Sequence, residues 1–265
     1  MWDAIIINPF INVVLFIYDL VGGNFGLAII IFTILIKLIT HPLTAKQVKS
    51  GMAMKELQKD EEWLAIQKKY KNDRDHLAQA QMAIYKKKGI SPFASCLPTF
   101  IQLPIIIGLY QSIIQTMGNA PLQVLNLVSR ISPWLVNTFS FIPWLSDPYT
   151  LIPLNSEFLW MNLGKPERVF IPGISFGIPV LAVIVVLTSL LQMKLMSPSG
   201  DSQANQATSI MNIYMPLLMG WFAYSFASGL ALYFVISNIV SIAQYAFLGK
   251  MSLKNLFAKK EIAKS

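Results

Sequence analysis

The chain contains 265 residues, of which 54% are hydrophobic and only 13% are charged, and its mean hydropathy is +0.54. This composition excludes an ordinary soluble domain, which needs more polar side chains to cover its surface, and indicates an integral membrane protein. The net charge of +8 favours anionic partners such as lipid headgroups, RNA or acidic peptide segments. Because Cys96 is the only cysteine, an internal disulfide and a thiolate metal cluster are both excluded.

The first element along the chain, residues 2–21, is apolar but is interrupted by polar residues such as Asn8, Asn12 and Asp19. This pattern favours an amphipathic helix that lies on the outer surface of the membrane. A sixth transmembrane helix is the alternative. It would place the N-terminus in the cytoplasm with no basic residue beside it, against the positive-inside rule.

Five apolar stretches are long enough to cross a hydrocarbon core of roughly 30 Å as helices of about 20 residues. They are residues 25–42, 97–117, 173–193, 210–227 and 230–248. The sequence therefore predicts an all-α membrane protein, built as a single domain over residues 1–265 with five transmembrane helices.

The distribution of basic residues predicts how these helices are oriented. Lysine and arginine concentrate in the segment 43–95 and in the tail 249–265, whereas the long loop 118–172 contains only Arg130, Lys165 and Arg168. By the positive-inside rule, the first segment and the tail are cytoplasmic. The N-terminus and the long loop are then outside, and the C-terminus is inside.

The segment 43–95 is expected to form a helical hairpin in the cytoplasm, because apolar residues recur in it at helical spacing among mixed charges. The turn is predicted at residues 71–74, with Asn72 capping the second helix. Cations in the last turn suit the negative end of the helix dipole. That last turn holds Lys86, Lys87 and Lys88.

Lys37 is the single charged side chain well inside a predicted transmembrane helix. A lysine at mid-bilayer costs roughly 2.5 to 3.5 kcal/mol, so it usually faces a cavity or a partner. The long side chain could instead reach the cytoplasmic headgroups without any function. However, one face of this otherwise apolar helix carries Thr33, Lys37, Thr40 and His41. A lysine that only extended to the headgroups would not need a polar face beside it. We therefore predict that Lys37 faces a polar cavity.

Other transmembrane helices carry uncharged polar residues that could line the same cavity. Each could equally serve as an interhelical hydrogen bond, so only the set as a whole favours a polar groove. The set includes Gln102, Gln192, Asn212, Ser237, Asn238, Ser241 and Gln244.

The sequence lacks the residues that several classes of function require. No Asp or Glu lies inside a predicted transmembrane helix, so a carboxylate proton relay has no ligands. Motifs for nucleotide binding, zinc binding and serine hydrolases are also absent from the sequence. We therefore expect a protein that is not an enzyme and that needs neither a cofactor nor a metal.

Characteristic short motifs are spread along essentially the whole chain. They include Asn24-Phe25-Gly26-Leu27, Pro42-Leu43-Thr44-Ala45-Lys46-Gln47, Tyr70-Lys71-Asn72-Asp73-Arg74, Cys96-Leu97-Pro98, Phe158-Leu159-Trp160, Met215-Pro216-Leu217 and Gly229-Leu230-Ala231-Leu232-Tyr233. Together these motifs resemble the YidC/Oxa/Alb membrane protein insertase family. We expect a member without the large outer domain of many Gram-negative relatives. The resemblance implies a location in the bacterial plasma (inner) membrane.

The resemblance also implies a groove that is open to the cytoplasm and to lipid but closed outside. In the family, a positive residue of the first helix attracts acidic segments of incoming proteins there. Lys37 occupies that place, where relatives usually have arginine, so a point charge replaces the planar guanidinium fork. Gln192 and Phe234 are implied to line the substrate path, the latter where relatives often have tryptophan.

The expected function is therefore that of an insertase and chaperone, which inserts nascent membrane proteins into the lipid bilayer and helps them fold. Possible further partners are the Sec translocon and the ribosome. The basic residues expected to recruit partners are Lys86, Lys87 and Lys88, with Lys259 and Lys260 of the tail as the RNA contact. The alternatives are an anion-selective transporter or channel, and a membrane chaperone that only assists assembly.

Overall fold

The computed structural model describes residues 2–57, 60–70, 73–89, 97–117, 121–133, 135–137, 147, 149–170, 177–196 and 206–247. Helices account for most of this part of the chain, which confirms the mainly helical class. The helices are α1 (Asn8–Leu20), α2 (Phe25–Ile39), α3 (His41–Leu57), α4 (Glu61–Lys69), α5 (Arg74–Lys87), α6 (Leu97–Thr116), α7 (Pro121–Ser129), α8 (Val180–Met196), α9 (Gln206–Ser225) and α10 (Ser228–Phe247). A π-helical turn, Asp3–Ile7, runs directly into α1.

Each of the five predicted transmembrane stretches overlaps a helix of the structure, namely α2, α6, α8, α9 and α10. Among the described residues, length and composition allow Asp3–Leu20 and Ser228–Phe247 each to cross a membrane alone. A third candidate is the pair Phe25–Ile39 and His41–Ser50, which meet at an angle of 55°. The arrangement with five transmembrane helices therefore stays a prediction.

The N-terminal helix α1 is a core element, which the sequence did not predict. Phe10 packs edge-to-face on Phe32 of α2, with ring centroids 5.1 Å apart. Asn12, which interrupts the apolar pattern, is fully buried. Its amide nitrogen donates to the carbonyl of Arg130 at 2.9 Å, and its amide oxygen accepts from the backbone N–H of Ser132 at 2.8 Å. The asparagine therefore joins α1 to the loop after α7.

Helix α10 lies at the centre of the bundle and contacts α2, α6, α8 and α9. Its first two turns, residues 228–235, are buried without interruption. Gly229 has Leu163 O, Ile29 and Ile113 so close that an added Cβ would lie 3.1 to 3.2 Å from them. The small residues at this end therefore allow α10 to approach its neighbours closely.

The segment 43–95, predicted to be cytoplasmic, contains residues of three helices in its described part, α3, α4 and α5, where two were predicted. Helices α2 and α3 meet at an angle of 55°, with the break at Thr40. Pro42 has no N–H to donate to the preceding turn. Proline is therefore tolerated in the first turn of a new helix, but it would interrupt α2 if that helix continued through it. The actual hairpin is α4 with α5. The predicted cap residue, Asn72, lies outside the described residues, and the cap is Asp73, which accepts from the backbone N–H of His76 at 3.1 Å.

The α4–α5 hairpin has a small core of its own. It is formed by buried Leu57, Trp63 and Ile84, with Ile66 and Tyr85 packed beside them. The Trp63 and Tyr85 rings have centroids 5.4 Å apart. At the start of α4, Asp60 accepts from the backbone N–H of Glu62 at 3.0 Å and caps the helix.

We predict that Trp63→Ala loosens the hairpin while the membrane-embedded helices stay folded. Removing a fully buried tryptophan costs about 3 kcal/mol in local stability because a cavity remains. Hydrogen exchange of residues 60–89 should accelerate accordingly. Leu64→Ala, on the exposed face of the same helix, is the matched control and should change exchange little. Equal exchange in both variants would contradict a structural role for the small core.

Candidate functional site

Lys37 lies in the last turn of α2, and its side chain reaches helix α10. Its ammonium nitrogen donates to the hydroxyl oxygen of Ser241 at 3.1 Å. The Ser241 hydroxyl in turn donates to the carbonyl of Ser237, one turn earlier, at 2.7 Å. The lysine therefore contacts a polar row on the central helix instead of extending along α2 towards its end.

Gln244 holds the main chain of the same lysine. Its amide nitrogen donates to the carbonyl oxygen of Lys37 at 3.0 Å. Carbonyls in the last turn of a helix lack a partner within that helix, so a side-chain donor is needed there. Ser241 and Gln244 are three residues apart and share one face of α10. One face of α10 thus fixes both the backbone and the side chain of Lys37.

The other amide atom of Gln244, its oxygen Oε1, is buried and accepts no hydrogen bond in the described part of the chain. An unpaired acceptor in a buried place is costly. The sequence placed Gln244 at helical spacing after Ser241 but did not single it out. Its contact with the Lys37 carbonyl is visible only in the folded chain, because the two residues are 207 positions apart.

The two threonines of the predicted polar face satisfy their hydroxyls within α2. Thr33 is fully buried and donates to the carbonyl of Ile29 at 2.7 Å. Thr40 donates to the carbonyl of Ile36 at 2.8 Å. Bonds of this type occupy the hydroxyl hydrogen inside the helix. Their role in lining a groove stays a prediction.

Several other predicted groove residues link neighbouring helices. Gln102 of α6 donates to the hydroxyl of Tyr233 of α10. Asn238 of α10 donates to the hydroxyls of Thr188 and Ser189 of α8, at 3.0 and 2.8 Å. These contacts correspond to the alternative left open by the sequence, in which polar side chains join helices.

The remaining groove candidates differ in how far the structure describes them. Phe234 is buried in the core, with its ring centroid 5.8 Å from that of Tyr233. Gln192 is half-buried on α8. The side chain of Asn212 lies outside the described residues. For all three, the place on a substrate path stays a prediction.

Two of the three lysines proposed for recruitment form ion pairs within the hairpin. Lys87 contacts the carboxylate of Glu62 at 2.9 Å, and Lys88 contacts that of Asp60 at 2.5 Å. Lys86 is exposed. Lys259 and Lys260 lie outside the described residues. The hydrogen bond from Lys88 lowers the pKa of Asp60 below the usual range of a carboxyl, and the same contact raises the pKa of Lys88.

Among the described residues, no group of three or more His, Cys, Asp or Glu side chains could hold a metal ion. The polar groups described at the site are the Lys37 cation, hydroxyl groups and amides. These polar groups lie between apolar helices, as in a helical membrane protein with a polar site inside its bundle.

Comparison with known proteins identifies the family. Residues 16–255 match the family described as 60Kd inner membrane protein. The chain is 33% identical to the membrane protein insertase YidC of Fusobacterium nucleatum, over 92% of this chain and 96% of that one. It is 31% identical to the insertase MisCA of Bacillus subtilis, over 92% of this chain and 77% of that one. The chain therefore belongs to the 60Kd inner membrane protein family.

A solved structure supports the same assignment. The crystal structure of an active YidC insertase with its first transmembrane domain resolved matches with a TM-score of 0.56 and 25% identity. The match covers 92% of this chain and 46% of the solved one. The resemblance stated from the sequence is thus confirmed, and so is the location in the bacterial inner membrane.

We predict an energetic coupling between Lys37 and Ser241. Ser241→Ala removes the acceptor of a charged donor and should destabilise the protein by about 1.5 kcal/mol. In the Lys37→Met background the same change should cost much less, because no ammonium group is left unpaired. Unfolding in mixed micelles measures this double-mutant cycle. Thr188→Val, which acts on the α8–α10 contact, is the control and should be additive with Lys37→Met, whereas additivity for Ser241 would refute the contact.

We also predict that the carboxyl of Asp60 titrates lower than an ordinary aspartate because of Lys88. A lowered pKa means that the pair stabilises the hairpin above the unfolded pKa, about 3.9, and that this contribution is lost as the pH falls through the folded pKa. Lys88→Met should move the pKa of Asp60 upwards, as followed by carboxyl carbon NMR. Lys86→Met, in the same turn, should leave the titration unchanged, and a shift of equal size would contradict the assignment.

Proposed function

We propose that the chain inserts nascent membrane proteins by receiving their short polar tails in an intramembrane groove beside Lys37. The contact that carries the proposal is the one between the Lys37 ammonium and Ser241. Ammonium has three donors, and Ser241 uses one of them. Among the described residues, the other two donors have no acceptor given, and we propose that they bind acidic or polar groups of an incoming segment. Charge-assisted bonds of this kind are about twice as strong as neutral ones.

The proposed topology has five transmembrane helices, α2, α6, α8, α9 and α10, with the N-terminus outside and the C-terminus inside. Helix α1 then lies at the outer interface and packs into the bundle. The concentration of lysine in the segment 43–95 and in the tail supports this orientation. In this orientation the end of α2 that carries Lys37 is near the cytoplasm, where an entering tail arrives first.

Insertion in this scheme needs no nucleotide. Burial of about 20 apolar residues of the client in lipid supplies the main driving force. A negative tail that moves outward gains roughly 2.3 kcal/mol per charge for each 100 mV of membrane potential. The groove lowers the barrier because hydrogen-bonding groups replace hydrocarbon along part of the path and reduce the desolvation cost of the tail.

The cytoplasmic parts are proposed to bring clients to the groove. Ion pairs between α4 and α5 hold the hairpin together, while Lys86 stays exposed for contact with a partner. The tail with Lys259 and Lys260 is proposed to contact ribosomal RNA, and such contacts weaken as salt rises. Cooperation with the Sec translocon is part of the same proposal.

The test is insertion of a single-span client with an acidic N-terminal tail into proteoliposomes. Lys37→Ala should lower the yield about tenfold, since one charge-assisted contact of about 1.4 kcal/mol is lost. Lys37→Arg should retain most of the yield because the charge is kept. Lys194→Ala, which removes a cation from the last turn of α8, is the matched control. Equal yields for wild type and Lys37→Ala would remove Lys37 from the mechanism.

A further inference from the structure

We propose that Glu167 is the latch that keeps the outer end of the groove closed. The proposal rests on the insertase function proposed above, in which a tail must leave on the outer side. It concerns the segment 162–169, which we call the outer clasp, together with the β-hairpin before it. That hairpin consists of β1 (Glu157–Phe158) and β2 (Met161–Asn162), paired antiparallel.

The outer clasp is bonded to the beginning of α10. The backbone N–H of Ser228 donates to the carbonyl of Lys165 at 2.8 Å, and that of Gly229 donates to the carbonyl of Leu163 at 3.0 Å. The first N–H groups of a helix have no partner inside the helix, so these loop carbonyls cap it. The central helix and the clasp therefore form one unit.

Glu167 joins this unit to α8. The glutamate is buried, with 6% of its surface exposed. One carboxylate oxygen accepts from the indole N–H of Trp160 at 3.0 Å, and the other accepts from the backbone N–H of Leu181 at 3.1 Å. Leu181 is in the first turn of α8, where the helix dipole favours a negative charge. A single side chain thus connects the hairpin tip with the start of a transmembrane helix.

Other contacts extend the cover over the remaining helices. Arg168 lies over the ring of Tyr224 at the end of α9, 5.3 Å from the ring centroid. The ring of Phe158 occupies the space that a Cβ on Gly26, at the start of α2, would need. The clasp and hairpin therefore touch the same ends of α2, α8, α9 and α10, which are the outer ends in the proposed topology.

Among the described residues, no ion pair involves the Glu167 carboxylate. The Trp160 and Leu181 N–H groups are the donors that the described residues give to this buried side chain. A buried carboxyl group needs such donors to offset its desolvation. Loss of one donor weakens the hold on both partners, as a latch requires.

A glutamine cannot replace this carboxylate. Glutamine offers one acceptor oxygen, and its NH₂ group would face one of the two N–H donors. Trp160→Phe removes the indole N–H, so the NH₂ group of the glutamine no longer faces a second donor at that place. The pair of substitutions therefore distinguishes a hydrogen-bonded latch from general packing, because general packing predicts that the two defects add.

The experiment measures access from outside to the residues beneath the clasp, by labelling a reporter cysteine there with a membrane-impermeant maleimide. The reporter is Thr116→Cys in a Cys96→Ser background. Thr116 is buried at the end of α6, next to Met117, whose Cβ would lie 3.0 Å from a Cβ on Gly164 of the clasp. Wild-type Glu167 should give slow labelling.

We expect Glu167→Gln to raise the labelling rate about tenfold, Trp160→Phe to raise it severalfold, and the double variant to fall below Glu167→Gln alone. Glu157→Gln, which changes an exposed carboxylate of the same hairpin, should have no effect. Thermal unfolding of each variant shows that the fold is retained. Unchanged labelling in Glu167→Gln, or additive effects in the double variant, would overturn the latch. The Lys37 insertion assay reports separately, so failure of the latch and failure of the insertase proposal are distinguishable.

Discussion

A positive charge inside a bundle of apolar helices must find polar partners within the protein, because hydrocarbon offers none. In this chain the partners of Lys37 come from one face of α10, through the hydroxyl of Ser241 and the amide of Gln244. The same helix is buried along its first two turns and touches four other helices of the bundle. Much of the architecture can be understood as the support that places α10 beside the end of α2.

The two ends of the bundle are held by different means. On the side proposed to be cytoplasmic, the α4–α5 hairpin is held by its own small core and by two ion pairs. At the opposite end, loop carbonyls and the buried carboxylate of Glu167 tie helix ends directly together. The hairpin at one end and the outer clasp bonded to the helix ends at the other fit the proposed groove, which opens towards one side of the membrane.

The sequence was most informative where one residue type breaks a uniform background. Lys37 was identified because it is the only charge inside the five predicted transmembrane stretches, and each of these stretches overlaps a helix. The same reliance on a residue that differs from its neighbours gave a wrong position for Asn12. An asparagine in an apolar segment looks like the polar face of a surface helix, whereas the structure buries it against Arg130 and Ser132, far away in sequence.

Local patterns by themselves determined the class of protein, predicted a helix in each of the five apolar stretches and singled out Lys37 as the candidate for the site, because hydrophobicity and charge act through composition and short spacing. The tertiary structure alone decided which groups meet. The partners of Lys37 on α10 are more than two hundred residues away, and Glu167 gains its role only where a loop, a hairpin tip and a helix end converge. Hydrogen bonds between distant segments leave no periodic signal, so they become visible only when the chain is folded.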